Sequence, residues 1–154
     1  MGIRAAREDE IALLDSIAFR AKAHWGYAPT QLEEWHESLR TPVGSTLSRP
    51  TLVYELDSNV VGFVQLDPAP SPWEVVSLWV LPEHMGNGIG RVLLRQALEA
   101  AAASGQTFVD VDSDPNALGF YLACGAVQVG AVPAPIAGAP DRVRPQLRVS
   151  TSGA

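Results

Sequence analysis

Residues 82–95 read PEHMGNGIGRVLLR, with Gly86, Gly88 and Gly90 at alternate positions directly ahead of a run with helical periodicity. Glycine costs folding entropy, so a cluster at one point must serve the turn or a ligand. The first turn of a helix leaves backbone N–H groups without intrahelical partners, and a glycine approach keeps them accessible. That combination is an anion site, suited above all to phosphate. The competing reading is a tight strand-to-helix turn with close packing. Two nucleotide motifs place glycines similarly, and neither fits. A Walker A loop ends in Gly-Lys-Ser/Thr, and GNGIGR has no lysine. A dinucleotide fingerprint is spaced GxGxxG after an early strand; here the spacing is GxGxG, and the chain leaves no second nucleotide-binding half.

Other reactive side chains are few. Cys124 is the single cysteine, so no intrachain disulfide forms, and its place between Ala123 and Gly125 in a short helix suits a small filler better than a nucleophile. The three histidines lack the spacing of a metal site, and no metal is expected. Asp110 and Asp112 bracket Val111 at a strand end, where they would attract a cationic amine or remain solvated loop acids.

The elements that must position these groups follow from periodicity. Residues 3–6 form a short strand. A helix follows, with Ile11, Leu14, Ile17, Ala18 and Ala21 at helical spacing and Asp9 and Glu10 at its acidic start. WGYAP breaks it, and Pro29 opens a second helix over residues 30–40 with Leu32, Trp35 and Leu39 on one face. The span 41–50 is loop-like. TLVYEL and NVVGFVQL then form a hairpin about Asp57 and Ser58, DPAPSPW is irregular, and WEVVSLWVL is a strand ended by Pro82. A helix over about 88–103, closed by Gly105, carries Ile89, Leu93, Leu94, Ala97 and Leu98. TFVDV is a buried strand, DPNALGFYLACG a short helix and AVQVG another strand. AVPAPIAGAPDR is irregular, and PQLRVS is an edge strand. This alternation predicts an α/β (α+β) domain with a mixed sheet covered by helices, occupying residues 1–150 with a tail at 151–154.

The whole chain sets bounds. At 154 residues and 47% hydrophobic composition it is long enough for one well-buried core. A formal charge of −6, from 17 acidic and 11 basic residues, disfavours a non-specific nucleic-acid binder. No stretch is long enough to cross a bilayer, and MGIRAARED lacks the apolar run of a signal peptide. A cytoplasmic location is the default expectation, and no membrane partner is expected. Dimerisation through a sheet edge is compatible with this pattern.

Taken together, WEVVSLWVLPEHMGNGIGRVLLRQALEAA and the later DPNALGFYLACGA resemble the two signatures of the GNAT superfamily of acyl-CoA N-acyltransferases, in family order and at family-like separation. The resemblance implies a mixed, mostly antiparallel central sheet flanked by helices, with strands splayed around an acyl-CoA site. It also implies an enzyme that acetylates a primary amine of a small molecule with acetyl-CoA, by direct attack in a ternary complex. Use of another acyl-CoA, a protein amine as acceptor, or a non-catalytic coenzyme-binding module are the alternatives.

Transferred to this sequence, the resemblance assigns the pyrophosphate to backbone N–H groups of Met85, Gly86, Asn87, Gly88, Ile89, Gly90 and Arg91. Met85 departs from the family's usual Arg or Gln and supplies no charge. Leu78 and Val80 are expected to hold the pantetheine arm through their backbone, and Asn116 to contact the coenzyme or, alternatively, to cap its own short helix. Tyr121 is the expected proton donor to the coenzyme sulfur and Glu74 the expected base. His84 is a weaker candidate base, and Glu83 is expected to be structural. Acceptor contacts fall to Trp25, Tyr27, Glu74 and Asp110, with Trp35 and His24 nearby; a core clasp between the first two helices is the bland alternative for the aromatics.

Overall fold

In a computed structural model, residues 2–42, 44–69 and 71–152 are described. Val43 of the expected 41–50 loop, Pro70 of DPAPSPW, and Gly153 and Ala154 of the expected tail lie outside the described residues. Seven strands, β1 (Gly2–Ala5), β2 (Thr51–Leu56), β3 (Asn59–Asp67), β4 (Glu74–Val80), β5 (Phe108–Asp112), β6 (Val127–Pro133) and β7 (Val143–Ser150), follow the order β1-β2-β3-β4-β5-β7-β6. The helices are α1 (Ile11–Ala23), α2 (Pro29–Trp35), α3 (Ser45–Ser48), α4 (Ile89–Ala103) and α5 (Leu118–Ala123), joined by 3₁₀ turns at Glu8–Glu10, Pro82–His84 and Pro115–Ala117. One strand pair, β4 with β5, is parallel, while β1–β2, β2–β3, β5–β7 and β6–β7 are antiparallel. This is the mixed, mostly antiparallel sheet with flanking helices that the sequence predicts. The chain's contacts fall into two compact units, residues 1–66 with 77–97, and residues 67–76 with 98–154.

In the first unit, the β2–β3 hairpin turns through Asp57 and Ser58, both at positive φ (52° and 66°), the primed-turn conformation that matches strand twist. Apolar alternation buries Val53, Val60 and Phe63 against Leu14, Ile17 and Ala18 of α1, with Ala6, Trp79 and Leu81 packed on the cluster. Gly62 lets β4 approach: a Cβ there would lie 3.0 Å from the Trp79 carbonyl oxygen and 3.3 Å from side-chain atoms of Leu93 and Val80. Just beyond β4, the Leu81 N–H donates to the Val61 carbonyl at 2.8 Å.

α2 is shorter than the expected 30–40 helix. After Trp35 the chain turns, with the Ser38 hydroxyl and the Leu39 N–H both donating to the Trp35 carbonyl. A local serine bond of this kind competes with helix continuation. The expected loop at 41–50 contains the one-turn helix α3. There, Gly44 at φ +79° and the Thr46 hydroxyl both donate hydrogen bonds to the Glu8 carboxylate. The acidic start of the first helix also resolves in detail. Glu10 is buried, accepts from the Arg7 N–H at 2.8 Å and pairs with the Arg4 guanidinium at 2.8 Å.

In the second unit, β5 pairs with β4 at Glu74–Asp110 and Val75–Val111 and with β7 along its whole length. Val75, Leu98, Ala101, Val109, Val111, Leu147 and Val149 are buried. Gly105 at φ +90° ends α4 as expected, with the Gln106 N–H reaching back to the Ala101 carbonyl. Two expectations are corrected. β7 is not an edge strand: it lies between β5 and β6, with Pro145, Leu147 and Val149 on its buried side. The expected irregular segment 131–142 instead continues β6 to Pro133 and closes through an Ile136–Ala139 bridge. Proline misleads at both places, because Pro133 and Pro145 fit the ladder without their missing N–H groups breaking it.

Candidate active site

The glycine stretch has the geometry of an anion loop. The 3₁₀ turn Pro82–His84 leads to Met85 in extended conformation, then Gly86 at φ +83° and Gly88 at φ +81°, and α4 begins at Ile89. Side chains rarely adopt those two φ values, so glycine is required there. A Cβ at either would meet nothing within 4 Å, which leaves that side of the backbone open. The Val92 N–H makes a helical bond to the Gly88 carbonyl, so the N–H groups of Ile89, Gly90 and Arg91 precede the first intrahelical donor. Gly90 lies inside α4. Glu83, expected to be structural, receives two hydrogen bonds from Arg20 of α1 at 2.9 and 3.0 Å. Its carboxyl is held below the ordinary carboxylate range by its own backbone hydrogen bond and then by Arg20. His84 is the last residue of the 3₁₀ turn.

The acceptor candidates of the first unit fall into two aromatic pairs. Tyr27 and Trp35 meet edge to face at 4.8 Å, and the Nζ of Lys22 lies 4.5 Å from the Trp35 centroid and 5.1 Å from that of Tyr27. Lys22 is the chain's one lysine, and it is buried. Trp25 stands edge to face with His24 at 5.8 Å. The sequence named the aromatic residues but not the ammonium they hold, because a lysine on a helix face gives no signal of its partners. A cavity of ≈ 500 Å³ opens elsewhere in this unit, lined by Asp15, Phe19, Arg20, His36, Leu39 and Arg40 among others. None of the catalytic, coenzyme or acceptor candidates named from sequence lines it.

In the second unit, register places Glu74, Asp110 and Arg148 side by side on adjacent strands, and therefore on one face of the sheet. Asp110 accepts from the Arg148 Nε at 3.0 Å, and that guanidinium lies 3.9 Å over the Phe108 ring. Asp112 accepts from Arg144 at 2.9 Å and from Gln146 at 2.9 Å. Both aspartates are thus engaged by β7 arginines.

Tyr121 on α5 is buried, and burial, followed by the nearby Cys124, pushes its phenol well above the ordinary value. The group therefore stays protonated. Cys124 is half-buried at the C-terminal end of α5. Asn116 does not cap its helix: Asp114 does, accepting from the Asn116 N–H at 2.8 Å and from its side-chain amide at 3.0 Å. Asp114 is held in turn by Arg142 at 3.6 Å, with both side chains 8% exposed, and Arg142 also donates to the Ala134 carbonyl at 3.0 Å. This pair escaped the sequence reading because its members lie in segments that look unrelated until the chain folds. Among the described residues, no group of three His, Cys, Asp or Glu is placed to hold a metal ion, and no helix is long and apolar enough to cross a membrane.

The pattern of the Acetyltransferase (GNAT) family matches residues 13–126, which include both the glycine loop and Tyr121. The fold is similar to that of a GCN5-related N-acetyltransferase from Rhodopseudomonas palustris, with a TM-score of 0.80 at 20% identity over 97% of this chain and 94% of that one. It is also similar to PaiA N-acetyltransferase from Thermoplasma acidophilum in complex with coenzyme A, with a TM-score of 0.71 at 19% identity over 97% and 98% of the two chains. The protein yncA from Salmonella typhimurium, with its cofactor acetyl-CoA, has a TM-score of 0.71 at 21% identity over 98% and 94%. With the family pattern spanning most of its length, this chain belongs to the GNAT acetyltransferase family, whose chemistry is acyl transfer from acyl-CoA to an amine.

Proposed function

We propose that the chain transfers the acetyl group of acetyl-CoA to the primary amine of a small molecule, by direct attack of the amine in a ternary complex. The observation that carries the reading is the pair of positive-φ glycines, Gly86 and Gly88, set immediately before the first turn of α4 with open space beside them. Backbone N–H groups from Met85 to Arg91 bind the pyrophosphate, without needing a lysine or metal. Backbone groups of Leu78 and Val80 hold the pantetheine arm, and Asn116, oriented by Asp114, contacts the coenzyme. The coenzyme supplies a thioester whose C–S bond breaks as the amine nitrogen forms a bond to the acetyl carbon. Glu74 takes the proton that the amine must lose, directly or through a water. Tyr121 gives its proton to the departing sulfur as the general acid of the step; the phenol is protonated before the step begins.

Trp25 and Tyr27 form part of the acceptor wall. Asp110 adds a second carboxylate beside Glu74 in the ladder, although its charge is already shared with Arg148. Residues 1–150 act as one acetyltransferase domain in this reading, and the site takes no metal. Calorimetry with acetyl-CoA, followed by thiol release across a panel of amines, tests the proposal. Coenzyme binding with amine-dependent thiol release is expected. Binding without release from any amine would leave a coenzyme-binding module, and no binding by folded protein would overturn the reading altogether.

A further inference from the structure

Alternate residues of β5 and β7 turn to opposite faces of the second unit's sheet. Val109, Val111, Leu147 and Val149 are buried on one, while Asp110, Asp112, Arg144 and Arg148 stand on the other and are reached by solvent. Register sets one row straight across that open face: Glu74 of β4, Asp110 of β5, Arg148 of β7 and Val127 of β6. The two arginines of the face are spent differently. Arg144 meets Asp112 side on, with Nε 2.9 Å from one carboxylate oxygen and Nη2 3.1 Å from the other. Arg148 gives only its Nε, to Asp110 at 3.0 Å, and its guanidinium lies 3.9 Å over the Phe108 ring. Among the described residues, that bond to Asp110 is the guanidinium's one hydrogen bond. A ring and a carboxylate thus fix the group in place, while the terminal N–H groups of its fork still have donors to give.

We propose that the acceptor is an aminocarboxylate, with its primary amine toward Glu74 and its carboxylate on the open fork of Arg148. This names the substrate class of the acetyl transfer proposed above and rests on that reading, with Glu74 as the base. A planar guanidinium fork matches a carboxylate with two parallel bonds. Charge narrows the choice further. Glu74, Asp110 and Asp112 outnumber the two arginines on this face, so it draws a cationic amine, and Arg148 is the cation there with donors to spare. A polyamine would set its second cation against that guanidinium. A phosphate dianion would meet Asp110 beside it, whereas a single negative charge suits a guanidinium already partly offset. Neighbouring strands lie about 4.8 Å apart, which puts Glu74 and Arg148 about 10 Å apart at the backbone. An amine and a carboxylate at opposite ends of a straight chain therefore fit better than both on one carbon.

Thiol release from acetyl-CoA with straight-chain ω-amino acids, each compared with its own amide, tests this. Wild type is expected to favour the acid in kcat/KM by about tenfold or more, through a lower KM. Arg148→Gln combined with Asp110→Asn removes both members of the pair and leaves no stray charge. With folding checked by circular dichroism, this double variant is expected to treat acid and amide alike, and Arg148→Lys, which keeps the charge without the fork, to fall between. Calorimetric affinities for acid and amide are expected to change in the same way, so a variant without turnover is still read. Wild type that uses amides as well as acids overturns the proposal and leaves acetyl transfer to an amine standing. So does an acid preference that the folded double variant retains. No thiol release from any amine by wild type that binds acetyl-CoA overturns both together.

Discussion

Arg142, at the end of the β6–β7 connection, and Asp114, at the cap before α5, form a buried ion pair at 3.6 Å, with 8% exposure on each side. The contact ties a proline- and glycine-rich connection to the turn that carries Asn116 and leads to Tyr121. Desolvation makes the pair asymmetric in its consequences: keeping both charges contributes little, while removing one leaves the other buried without its counter-charge.

Arg142→Met is therefore expected to destabilise the chain by about 3–5 kcal/mol, the range for breaking one side of a buried pair. Adding Asp114→Asn should restore part of the loss, giving a clear coupling energy in a double-mutant cycle. Urea midpoints and slopes for the four chains measure this. A single-substitution cost no larger than that of an ordinary surface change would contradict the assignment.

Gly62→Val tests how closely β3 approaches β4. The atom a new Cβ would strike at 3.0 Å is the Trp79 carbonyl oxygen, a backbone atom that cannot rotate aside. Overpacking of this kind costs about 1–3 kcal/mol, and thermal melting should shift down accordingly. An unchanged melting temperature would show that the strands have room to separate.

Much of this architecture was legible in the sequence, and the exceptions have physical reasons. The β2–β3 hairpin, β4, α4 and its Gly105 stop follow from periodicity and turn chemistry that operate within a few residues. β7 was misplaced because Pro145 resembles an edge-strand residue locally, while sheet order depends on pairing with β5 and β6. α2 ends at Trp35, whose carbonyl accepts from both the Ser38 hydroxyl and the Leu39 N–H, a stop that helical spacing does not show. The glycine loop and Tyr121 could be named from motif spacing. The Lys22 contacts with Tyr27 and Trp35, and the Asp114–Arg142 pair, depend on where separate elements meet, and no local pattern encodes that.

Acid stability should report on Glu10. Its hydrogen bonds from Arg4 hold the carboxyl at about 2, against an ordinary value of 4.5. A depressed carboxylate contributes stability in full above its unfolded pKa, and that contribution is lost as pH falls through the folded value. The window is therefore from about 4.5 down to about 2, with a total of at most about 3 kcal/mol. Glu10→Gln should be less stable at neutral pH and flatter across that window in urea titrations. A slope identical to wild type would remove Glu10 as the source.

Gly88→Ala addresses the loop. Forcing alanine to φ +81° costs about 1–2 kcal/mol or rearranges the loop. Acetyl-CoA affinity by calorimetry should fall about tenfold, while global melting falls by no more than the few degrees that this backbone strain sets. Met85→Arg restores the residue type usual at this place in the family, and tighter coenzyme binding is expected if the loop gains a phosphate contact. Unchanged affinity in the first variant would move the pyrophosphate away from these amides.

The most direct test of the account is amine-dependent thiol release by wild type and Tyr121→Phe, compared with calorimetric acetyl-CoA affinity for each. The account predicts that wild type releases thiol only when an acceptor amine is present. It also predicts that the phenylalanine variant binds coenzyme nearly as well but turns over about a hundredfold or more slowly, the scale of a lost general acid. Equal turnover by the two proteins, with affinity unchanged, would contradict it.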